Sequence, residues 1–382
     1  MKLPFKTIID LSSLTALASQ GLVQMFDTDA NVFCARLVRT PMGLVRQGHS
    51  PRYTIMTLLG LREGEKNGLQ TSFDSQGIYR GFVSDNGWIN GVGDLGLLLW
   101  LTSEFDPDNL NNLFEEFDLG LALDSFKDGR ERSTTELSWF LAGLARAART
   151  SIPTAIKLTD LAVKSFRLIK KNQGDSGFFG HLGIHNSKSG LLRGRIGNFA
   201  DQIYPVYCFA EFAVAFHIAE ALPPALKCAR AICDAQGHLG QWWWLYDSMR
   251  GRIASRYPVY SVHQHAMAPM GLFALGRATG QDFQSSIHRG LRWIYGWNEL
   301  DVDMRDLKDN VIWRCIRPCN KGTKYWEMAT SFFGASKIRQ QAWSLEVLYE
   351  DWPYELGWLL YAWANIPSTK EGITDSCIAQ IT

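Results

Sequence analysis

Titratable side chains are concentrated in the middle of this 382-residue chain. His263 and His265 lie in the segment YSVHQHAM, and an imidazole with an unperturbed pKa of about 6.5 is suited to proton abstraction. Asp247 precedes them and Glu299 and Glu355 follow, and each of these carboxylates could act as the matching acid or base. These residue types predict acid–base chemistry, with Asp247, His263, His265 and Glu355 as candidate catalytic residues.

Aromatic side chains accompany these titratable groups. The segment WWWLYD begins at Trp242, and the segment VIWRCIR contains Trp313 and Arg314. Sugars stack on tryptophan and tyrosine rings and form hydrogen bonds with charged side chains, and ligand pockets favour such residues. The predicted substrate-binding residues are Trp242, Trp243, Trp244, Tyr257, Tyr260, Trp313 and Arg314.

A glycine-centred motif indicates the elements that must position these residues. Gln236, Gly240 and Trp242 follow the spacing Q-x3-G-x-W. Glycine lets the chain turn where a Cβ would clash, and a tryptophan beyond it can bury a large face. A glutamine amide can bond the backbone groups left open at a helix end. The motif therefore predicts a joint between the end of one helix and the start of the next.

The same spacing occurs once more, upstream. Gln173, Gly177 and Phe179 repeat it in the segment NQGDSGFFG, with phenylalanine in place of tryptophan. Repeats at a fixed period usually indicate stacked supersecondary units. The two motifs together predict helical hairpins that stack side by side.

Both motifs resemble the QW repeats of squalene–hopene cyclases and related terpenoid cyclases. That superfamily, with the protein prenyltransferase β subunits, folds as an α/α toroid. The resemblance covers about residues 170–280. It implies a terpenoid-cyclase-like enzyme that acts on an isoprenoid substrate by acid-initiated chemistry in an aromatic-lined cavity.

In such a cyclase, an aspartic acid supplies the initiating proton. The family pattern D-x-D-D is matched in part by Asp27 and Asp29 and again by Asp301 and Asp303, and both segments lack the final aspartate. Each aromatic ring could stabilise a carbocation by about 0.5–2 kcal/mol through cation–π contact. The resemblance adds Asp301 and Asp303 to the candidate catalytic residues.

Helix signals recur along the whole chain. Ser50 before Pro51 is a strong helix start, because serine caps the helix and proline suits its first turn. Ser133 and Glu136 form a capping box before an apolar run. About twelve helices in six antiparallel pairs predict an all-α fold, an α/α toroid of about six helical hairpins. Loops before the inner helices would then line one mouth of the ring.

Composition limits the number of domains and the kinds of partner. The chain is 46% hydrophobic, enough for a large core, and no linker marks a boundary. This predicts one toroid domain over residues 1–368 and a flexible tail over residues 369–382. The net charge is +1, from 39 basic and 38 acidic residues, so we expect no nucleic-acid partner.

The sequence contains no uncharged apolar stretch of about 20 residues, so no transmembrane helix is expected. The N-terminal segment is a poor signal peptide because Asp10 interrupts its apolar region. These observations predict a cytoplasmic protein. A lipid substrate could still bring it into peripheral contact with a membrane.

Metal and disulfide signals are weak. The chain has seven cysteines, an odd number without a tight pattern, which argues against a disulfide framework. Prenyltransferase β subunits hold zinc with one Asp, one Cys and one His; Asp247, Cys315 and His263 or His265 are available, but no spacing selects them. We expect no metal and no cofactor, and a small molecule or lipid as substrate. The oligomeric state stays open.

The sequence thus leaves three interpretations. The first is a terpenoid-cyclase-like enzyme, and the alternative is a cytoplasmic carbohydrate-active toroid that works as a sugar epimerase, lyase or hydrolase. The third is a non-catalytic binding scaffold. A cyclase cavity should be closed and mostly apolar with one buried acid, whereas a sugar site should be an open cleft with several charges.

Overall fold

The computed structural model describes residues 9–84, 87–124, 133–150, 155–182, 194–319, 344–364 and 366. Within these residues, α-helices dominate and are joined by loops and short strands. The α-helices are α1 Leu11–Met25, α2 Pro51–Lys66, α3 Ser75–Val83, α4 Val92–Phe105, α5 Leu110–Glu116, α6 Leu119–Asp124, α7 Thr134–Ala147, α8 Ala155–Lys170, α9 Phe199–Phe216, α10 Leu222–Asp234, α11 Ala268–Thr279, α12 Gln284–Ile294 and α13 Pro353–Trp363. A π-helical turn, His263–Met267, leads directly into α11.

Two helix starts follow the capping signals of the sequence. The Ser50 side chain accepts a hydrogen bond from the Tyr53 N–H at 3.3 Å, and Pro51 is the first residue of α2. Ser133 and Glu136 form a capping box at the start of α7, in which each side chain bonds the backbone N–H of the other residue. Both predicted helix starts are confirmed, and they fix where the chain enters α2 and α7.

Six of the described helices form a closed inner ring. In chain order, α2, α4, α7, α9, α11 and α13 each contact the next, and α13 contacts α2. An outer helix packs on each of them: α1 on α13, α3 on α2, α5 on α4, α8 on α7, α10 on α9 and α12 on α11. The predicted α/α toroid of six helical hairpins is confirmed.

The inner helices α4 and α7 run parallel with their backbones in contact. A Cβ on Gly96 would lie 2.3 Å from the Cα of Phe140, and a Cβ on Gly143 would lie 2.2 Å from the Gly96 carbonyl oxygen. Only glycine permits such a close approach. Gly93 lies against Glu136 in the same way. Because the residue numbers rise together along both helices, their amino ends share one end of the ring.

Aromatic side chains fill the interior of the ring. The Trp100 ring stacks on Tyr207 at a centroid separation of 5.2 Å and lies 5.5 Å from Trp358. Trp358 donates its indole N–H to the Tyr204 hydroxyl at 2.9 Å, and the hydroxyls of Tyr207 and Tyr361 lie 2.7 Å apart. All five side chains are buried. The rings therefore form a packed core, whereas a cyclase would need an aromatic-lined cavity here.

Short antiparallel strands lie in the segments that precede inner helices. Strand β2 pairs with β1, β3 and β12, β5 pairs with β4 and β6, β10 pairs with β7 and β11, and β8 pairs with β9. Most are too short to show the alternation that predicts a strand. Their bounds are β1 Phe26–Asp27, β2 Val32–Thr40, β3 Gly43–His49, β4 Ile196–Asn198, β5 Leu245–Asp247, β6 Arg252–Ser255, β7 Val259–Tyr260, β8 Arg305–Asp306, β9 Val311–Ile312, β10 Cys315–Pro318, β11 Leu345–Leu348 and β12 Glu350–Asp351.

The two glycine-centred motifs form equivalent joints between outer helices. Gln236, which follows α10, donates its side-chain N–H groups to the carbonyl oxygens of Gly240 and of Ser286 in α12, each at 2.9 Å. Gln173, which follows α8, makes the same pair of bonds, to the glycine of its own motif at 3.0 Å and to Pro224 in α10 at 2.9 Å. The motif glycines have φ values of 91° and 98°, which favour glycine. The motifs therefore join consecutive outer helices and skip the inner helix that lies between them in the chain.

The predicted tail, residues 369–382, lies outside the described residues. The single domain over residues 1–368 therefore stays a prediction. No described helix combines the length and the apolarity needed to cross a membrane.

Candidate active site

The amino ends of the inner helices define one end of the ring, which we call the mouth. The strands and the loops that lead into α2, α9, α11 and α13 lie at this end. Helix amino ends carry unpaired backbone N–H groups and a partial positive charge, so carboxylates are favoured near them. Polar side chains in the first turns of the inner helices are therefore the first candidates for a functional site.

Arg52, at the start of α2, contacts carboxylates from the next two inner helices. Its Nε donates to Asp94 in the first turn of α4, and its Nη2 lies 3.5 Å from Glu136 in the first turn of α7. Only 2% of the Asp94 side chain is exposed, against 39% of Arg52 and 30% of Glu136. Burial opposes the charge of Arg52, but the two carboxylates outweigh it and raise its pKa. The cluster therefore holds charge at the mouth and remains accessible through Arg52 and Glu136.

Asp94 and Glu136 are held close together. One guanidinium group contacts both carboxylates, and glycoside hydrolysis uses two carboxyl groups about 5–10 Å apart. Gly93 permits the approach, since a Cβ there would lie 2.8 Å from Glu136 Cγ. Asp94 also accepts a hydrogen bond from the Asn90 N–H at 3.0 Å, and Glu136 is held by Ser133 in the capping box. The pair thus combines one buried carboxylate and one accessible carboxylate.

Aromatic rings border this charged cluster. The Arg52 guanidinium lies over the Trp139 ring at 5.7 Å, and Trp139 packs edge to face against Tyr204 at 5.5 Å. Tyr53, the next residue after Arg52, lies with its ring 4.7 Å from that of Tyr354. Rings beside a few fixed polar groups are the usual lining of a small-molecule site.

A second charged pair lies on the far side of Tyr53. Arg314 hydrogen-bonds Glu355 in the first turn of α13. The Arg314 guanidinium also lies over the Trp352 ring at 3.2 Å and 5.0 Å from the Tyr260 ring. Burial raises the pKa of Tyr53, and both Arg314 and Glu355 act on it as well. The structure therefore brings the predicted residues Tyr260, Arg314 and Glu355 together at the mouth.

The surroundings of Glu355 favour the protonated form of its carboxyl group more than water does. Burial raises its pKa from 4.5 to about 7, although the Arg314 charge acts in the opposite direction. Asp351, at the end of β12, is also buried, and its pKa is raised by burial and by Glu355. Its Oδ2 accepts a hydrogen bond from the Ile312 N–H at 2.9 Å. Sequence reasoning missed Asp351 because it ends a two-residue strand without a motif.

The two predicted histidines are buried and neutral. His263 lies between Phe199, at a ring separation of 4.5 Å, and Tyr260, at 5.2 Å, and is nearly parallel to the Trp244 ring. Burial, with a further effect of the Arg314 charge, lowers the pKa of His263 to about 3. Burial also lowers the pKa of His265 to about 3, and neither of its ring nitrogens has a hydrogen-bond partner among the described residues. Neither imidazole titrates near neutrality.

The predicted catalytic residue Asp247 is fully buried and stabilises a turn. Its Oδ1 accepts hydrogen bonds from the N–H groups of Met249 and Arg250 at 3.2 and 3.1 Å, between β5 and β6. Its Oδ2 lies 3.7 Å from Arg195 and 3.9 Å from Arg250. The carboxylate therefore has structural partners, and a catalytic role for it stays a prediction.

Several other predicted residues lie away from the cluster at the mouth. Asp301 and Asp303 are exposed in the loop after α12, where Asp303 pairs with Arg305 at 2.7 Å. Trp242 and Trp243 are buried, and Trp243 donates its indole N–H to the Ala235 carbonyl at 2.8 Å.

Two more predicted binding residues have partners within the scaffold. Tyr257 donates to Glu299 at 3.1 Å, and Trp313 is buried under Arg39 at 4.6 Å. Binding roles for these residues stay predictions.

Sequence reasoning missed the central cluster of the mouth. In the sequence Glu136 only completes a capping box, and Arg52 and Asp94 belong to no motif. Asp94 is the third residue of α4, and Gly91 is the N-cap of that helix. The sequence feature that could have identified these residues is their position, because each one lies in the first turn of a helix that lines the ring.

A histidine–aspartate pair at the start of α9 was also missed. The Nδ1 of His181 lies 2.9 Å from Asp201 Oδ2, and Asp201 Oδ1 accepts a hydrogen bond from the Thr135 hydroxyl at 2.8 Å. Asp201 is fully buried, whereas 26% of His181 is exposed. This pair therefore adjoins the first turn of α7. Within the described part of the chain, no group of three or more His, Cys, Asp or Glu residues is placed to hold a metal ion.

The fold resembles solved structures along almost its whole length. A sugar epimerase from a ruminal bacterium aligns with a TM-score of 0.62 at 11% identity, over 93% of this chain and 98% of that chain. A possible member of the GH105 family from Klebsiella pneumoniae aligns with a TM-score of 0.60 at 12% identity, over 95% and 94%. An unsaturated glucuronyl hydrolase specific for heparin aligns with a TM-score of 0.57 at 16% identity, over 92% and 95%. No protein-family model and no curated protein sequence matches the chain.

At these identities the similarity establishes the α/α-toroid fold and no activity. These three structures are described as carbohydrate-active enzymes, and the ring interior is filled where a cyclase would need a cavity. The terpenoid-cyclase interpretation and its isoprenoid substrate are therefore wrong. The glycine-centred motifs join outer helices, a task that does not depend on the chemistry at the mouth.

Proposed function

We propose that this chain is a carbohydrate-active enzyme that hydrolyses a glycosidic bond at the mouth of the toroid. The proposal rests on one observation: Arg52 bridges Asp94 and Glu136 beside the partly buried rings of Trp139 and Tyr53. Glycoside hydrolysis needs two carboxyl groups about 5–10 Å apart, and sugar sites combine aromatic faces with a few fixed polar groups. The solved structures with this fold that are described as sugar-active support the same assignment.

We assign the two carboxyl groups to different steps because their side chains differ in exposure. Glu136, which is 30% exposed, in its protonated form donates a proton to the leaving glycosidic oxygen as the bond to the anomeric carbon breaks. Asp94 accepts a proton from the water whose oxygen attacks that carbon. Arg52 holds both side chains in position, and Trp139 and Tyr53 offer faces for the sugar ring.

His181 supports a second candidate, epimerisation of a sugar. Its Nδ1 faces the buried Asp201 carboxylate, which fixes the orientation of the imidazole. An oriented imidazole can remove a proton from a sugar carbon, while an acid on the opposite face returns one. The two candidates differ in the atoms that they exchange with solvent.

A panel of oligosaccharides and glycosides should be incubated with the protein in ²H₂O and, separately, in H₂¹⁸O, and the products analysed by mass spectrometry. Hydrolysis yields two fragments and places ¹⁸O on the new reducing end. Epimerisation instead exchanges one carbon-bound hydrogen for deuterium without cleavage.

The Glu136→Gln variant tests the assignment of the cluster. We expect it to lower hydrolysis at least about 100-fold, the contribution typical of one acid–base group. Glu115→Gln, which changes an exposed residue on the outer helix α5, is the matched control and should act like wild type. The proposal is contradicted if Glu136→Gln turns over substrate at the wild-type rate. It is also contradicted if the wild-type protein turns over no carbohydrate.

A further inference from the structure

A groove opens beside the mouth, between the β2–β3 hairpin and the segment that leads into α13. Its volume is about 340 Å³, at the lower end of the range of small-molecule sites. It shares Tyr53 with the border of the charged cluster, so it continues directly from the proposed site. The lining residues are Ala35, Arg36, Gln47, Gly48, Tyr53 and Trp352.

A chain of hydrogen bonds holds the Trp352 ring in place along this groove. The Trp352 indole N–H donates to Glu350 Oε2 at 3.1 Å, and Glu350 Oε1 accepts from Arg36 at 3.1 Å. Arg36 in turn donates from its Nε to Gln47 Oε1 at 3.0 Å. The chain links β2, β3 and β12, so the ring is oriented before any ligand arrives.

Two aromatic rings form the wall nearest the mouth. One face of Trp352 is covered by the Arg314 guanidinium at 3.2 Å, and the Tyr53 ring lies 5.4 Å away at an angle of 40°. Both side chains are partly exposed. Rings that are half-buried and fixed from behind offer a sugar a stacking surface at low entropic cost.

The charged groups around the groove are paired. Arg36 pairs with Glu350 at 3.1 Å, Arg39 with Asp306 at 2.9 Å, and His49 lies 3.0 Å from Asp27. Gln47 is exposed, and its side-chain nitrogen donates to no residue in the described part of the chain. The groove therefore offers an amide, aromatic faces and the Arg36 guanidinium, whose charge is already balanced by Glu350. These groups suit the hydroxyl groups of an uncharged ligand.

We infer that this groove binds a second, uncharged sugar unit of the substrate, next to the unit that reacts at Asp94 and Glu136. The inference rests on the proposed function and specifies its substrate class. The substrate is an oligosaccharide or glycoconjugate whose unit beyond the cleaved bond is a neutral sugar. A single sugar would leave the groove empty and would bind more weakly.

Binding can be measured without turnover. Methyl glycosides and matching neutral disaccharides of glucose, galactose and mannose should be titrated by calorimetry into the full-length protein carrying Glu136→Gln, which suppresses cleavage. Disaccharides that carry a uronic acid as the second unit should be titrated in the same way. The variant Gln47→Leu keeps the size of the side chain and removes its hydrogen bonding. Met42→Ala, at the exposed tip of the same hairpin, is the matched control.

We expect at least one neutral disaccharide to bind about tenfold more tightly than its methyl glycoside, equivalent to about 1.4 kcal/mol. Gln47→Leu should reduce this advantage at least threefold and leave the methyl glycoside unchanged, whereas Met42→Ala should change neither. The inference is overturned if no neutral disaccharide has the advantage, if the uronic acid disaccharides have it equally, or if Gln47→Leu preserves it. If the disaccharide binds but the wild-type protein does not turn it over, the proposed function is wrong and the inference about the groove still stands.

Discussion

Each end of the ring has an arginine surrounded by carboxylates and aromatic rings. The two arginine side chains differ in exposure. At the mouth, 39% of the Arg52 side chain is exposed. At the opposite end, near the carboxyl ends of α4 and α7, only 17% of Arg146 is exposed. We call this second cluster the base. Asp94 and Glu104 lie ten positions apart on α4, which separates the two clusters by about 15 Å along the helix.

The base is closed by hydrogen bonds that Arg146 makes to three helices. Its guanidinium contacts Glu104 at 3.4 Å and Glu211 at 2.9 Å. It also donates to the hydroxyls of Tyr207 at 2.8 Å and Tyr361 at 2.6 Å. Burial opposes the Arg146 charge, but these tyrosines and carboxylates outweigh it and raise its pKa.

Residue type alone therefore does not identify a site in this fold. Both clusters join an arginine to two carboxylates beside a tryptophan, yet the base uses its polar groups to hold helices together. At the mouth, Glu136 and Arg52 retain surface that a ligand can reach. We therefore expect substitutions at the mouth to change chemistry and substitutions at the base to change stability.

The largest effect is expected for Asp94→Asn at the mouth. The amide keeps the shape of the side chain but cannot accept a proton, so kcat for glycoside hydrolysis should fall about 100- to 10,000-fold. Steady-state kinetics on the substrate found for the wild type measure this. Glu104→Gln, on the same helix at the base, is the matched control and should keep the wild-type kcat. Equal losses in the two variants would erase the distinction between the two ends.

Arg146→Met should have the opposite effect. Removing the cation leaves Glu104 paired only with Lys66 and Glu211 paired only with Arg149, and both of these cations are more exposed than Arg146. Loss of the buried partner should cost up to about 3–5 kcal/mol of unfolding free energy. Urea denaturation measures the loss, and kcat per folded molecule should stay at the wild-type value. A variant of unchanged stability that has lost turnover would place the chemistry at the base.

A smaller loss is expected where α4 and α7 touch, between the two clusters. In Gly143→Ala, the new Cβ would meet the Gly96 carbonyl oxygen, and relief of this overlap should cost about 1–3 kcal/mol. Because the shift also moves Glu136 relative to Asp94, kcat should fall together with stability. Gly280→Ala, where a Cβ meets no neighbouring atom, tests backbone strain alone and should leave kcat unchanged. A stable, fully active Gly143→Ala protein would show that the helices do not need this contact.

The last prediction concerns pH. The folded-state pKa of Glu355 is raised from 4.5 to about 7, so Glu355 favours the folded state below pH 4.5, and this contribution is lost as the pH rises through about 7. Wild type should therefore lose stability relative to Glu355→Gln across this window, by at most about 1.4 kcal/mol per pH unit. Urea unfolding of both proteins at several pH values measures the difference. A difference that does not change with pH would mean that Glu355 titrates normally.

The toroid was predictable because its signals are local. Ser50 with Pro51 and Ser133 with Glu136 mark helix starts, and the two glutamine motifs mark the joints between outer helices. Local signals of this kind report how helices begin and connect. They do not report which residues face each other after the ring closes.

The site was predictable only in part, for the same reason. Tyr260, Arg314 and Glu355 were named in advance and do meet, whereas Arg52 and Glu136 are 84 positions apart and meet only because α2, α4 and α7 are neighbours. The terpenoid interpretation was wrong because it took a motif that joins helices as evidence for chemistry.

The most direct test of the central claim is the crystal structure of Glu136→Gln with the carbohydrate that the wild type turns over. We predict a sugar ring at the mouth, with one face on Trp139 or Tyr53 and the scissile oxygen about 3 Å from the side chain of residue 136. A substrate bound beside Arg146 at the base, or anywhere else outside the mouth, would contradict catalysis by Asp94 and Glu136.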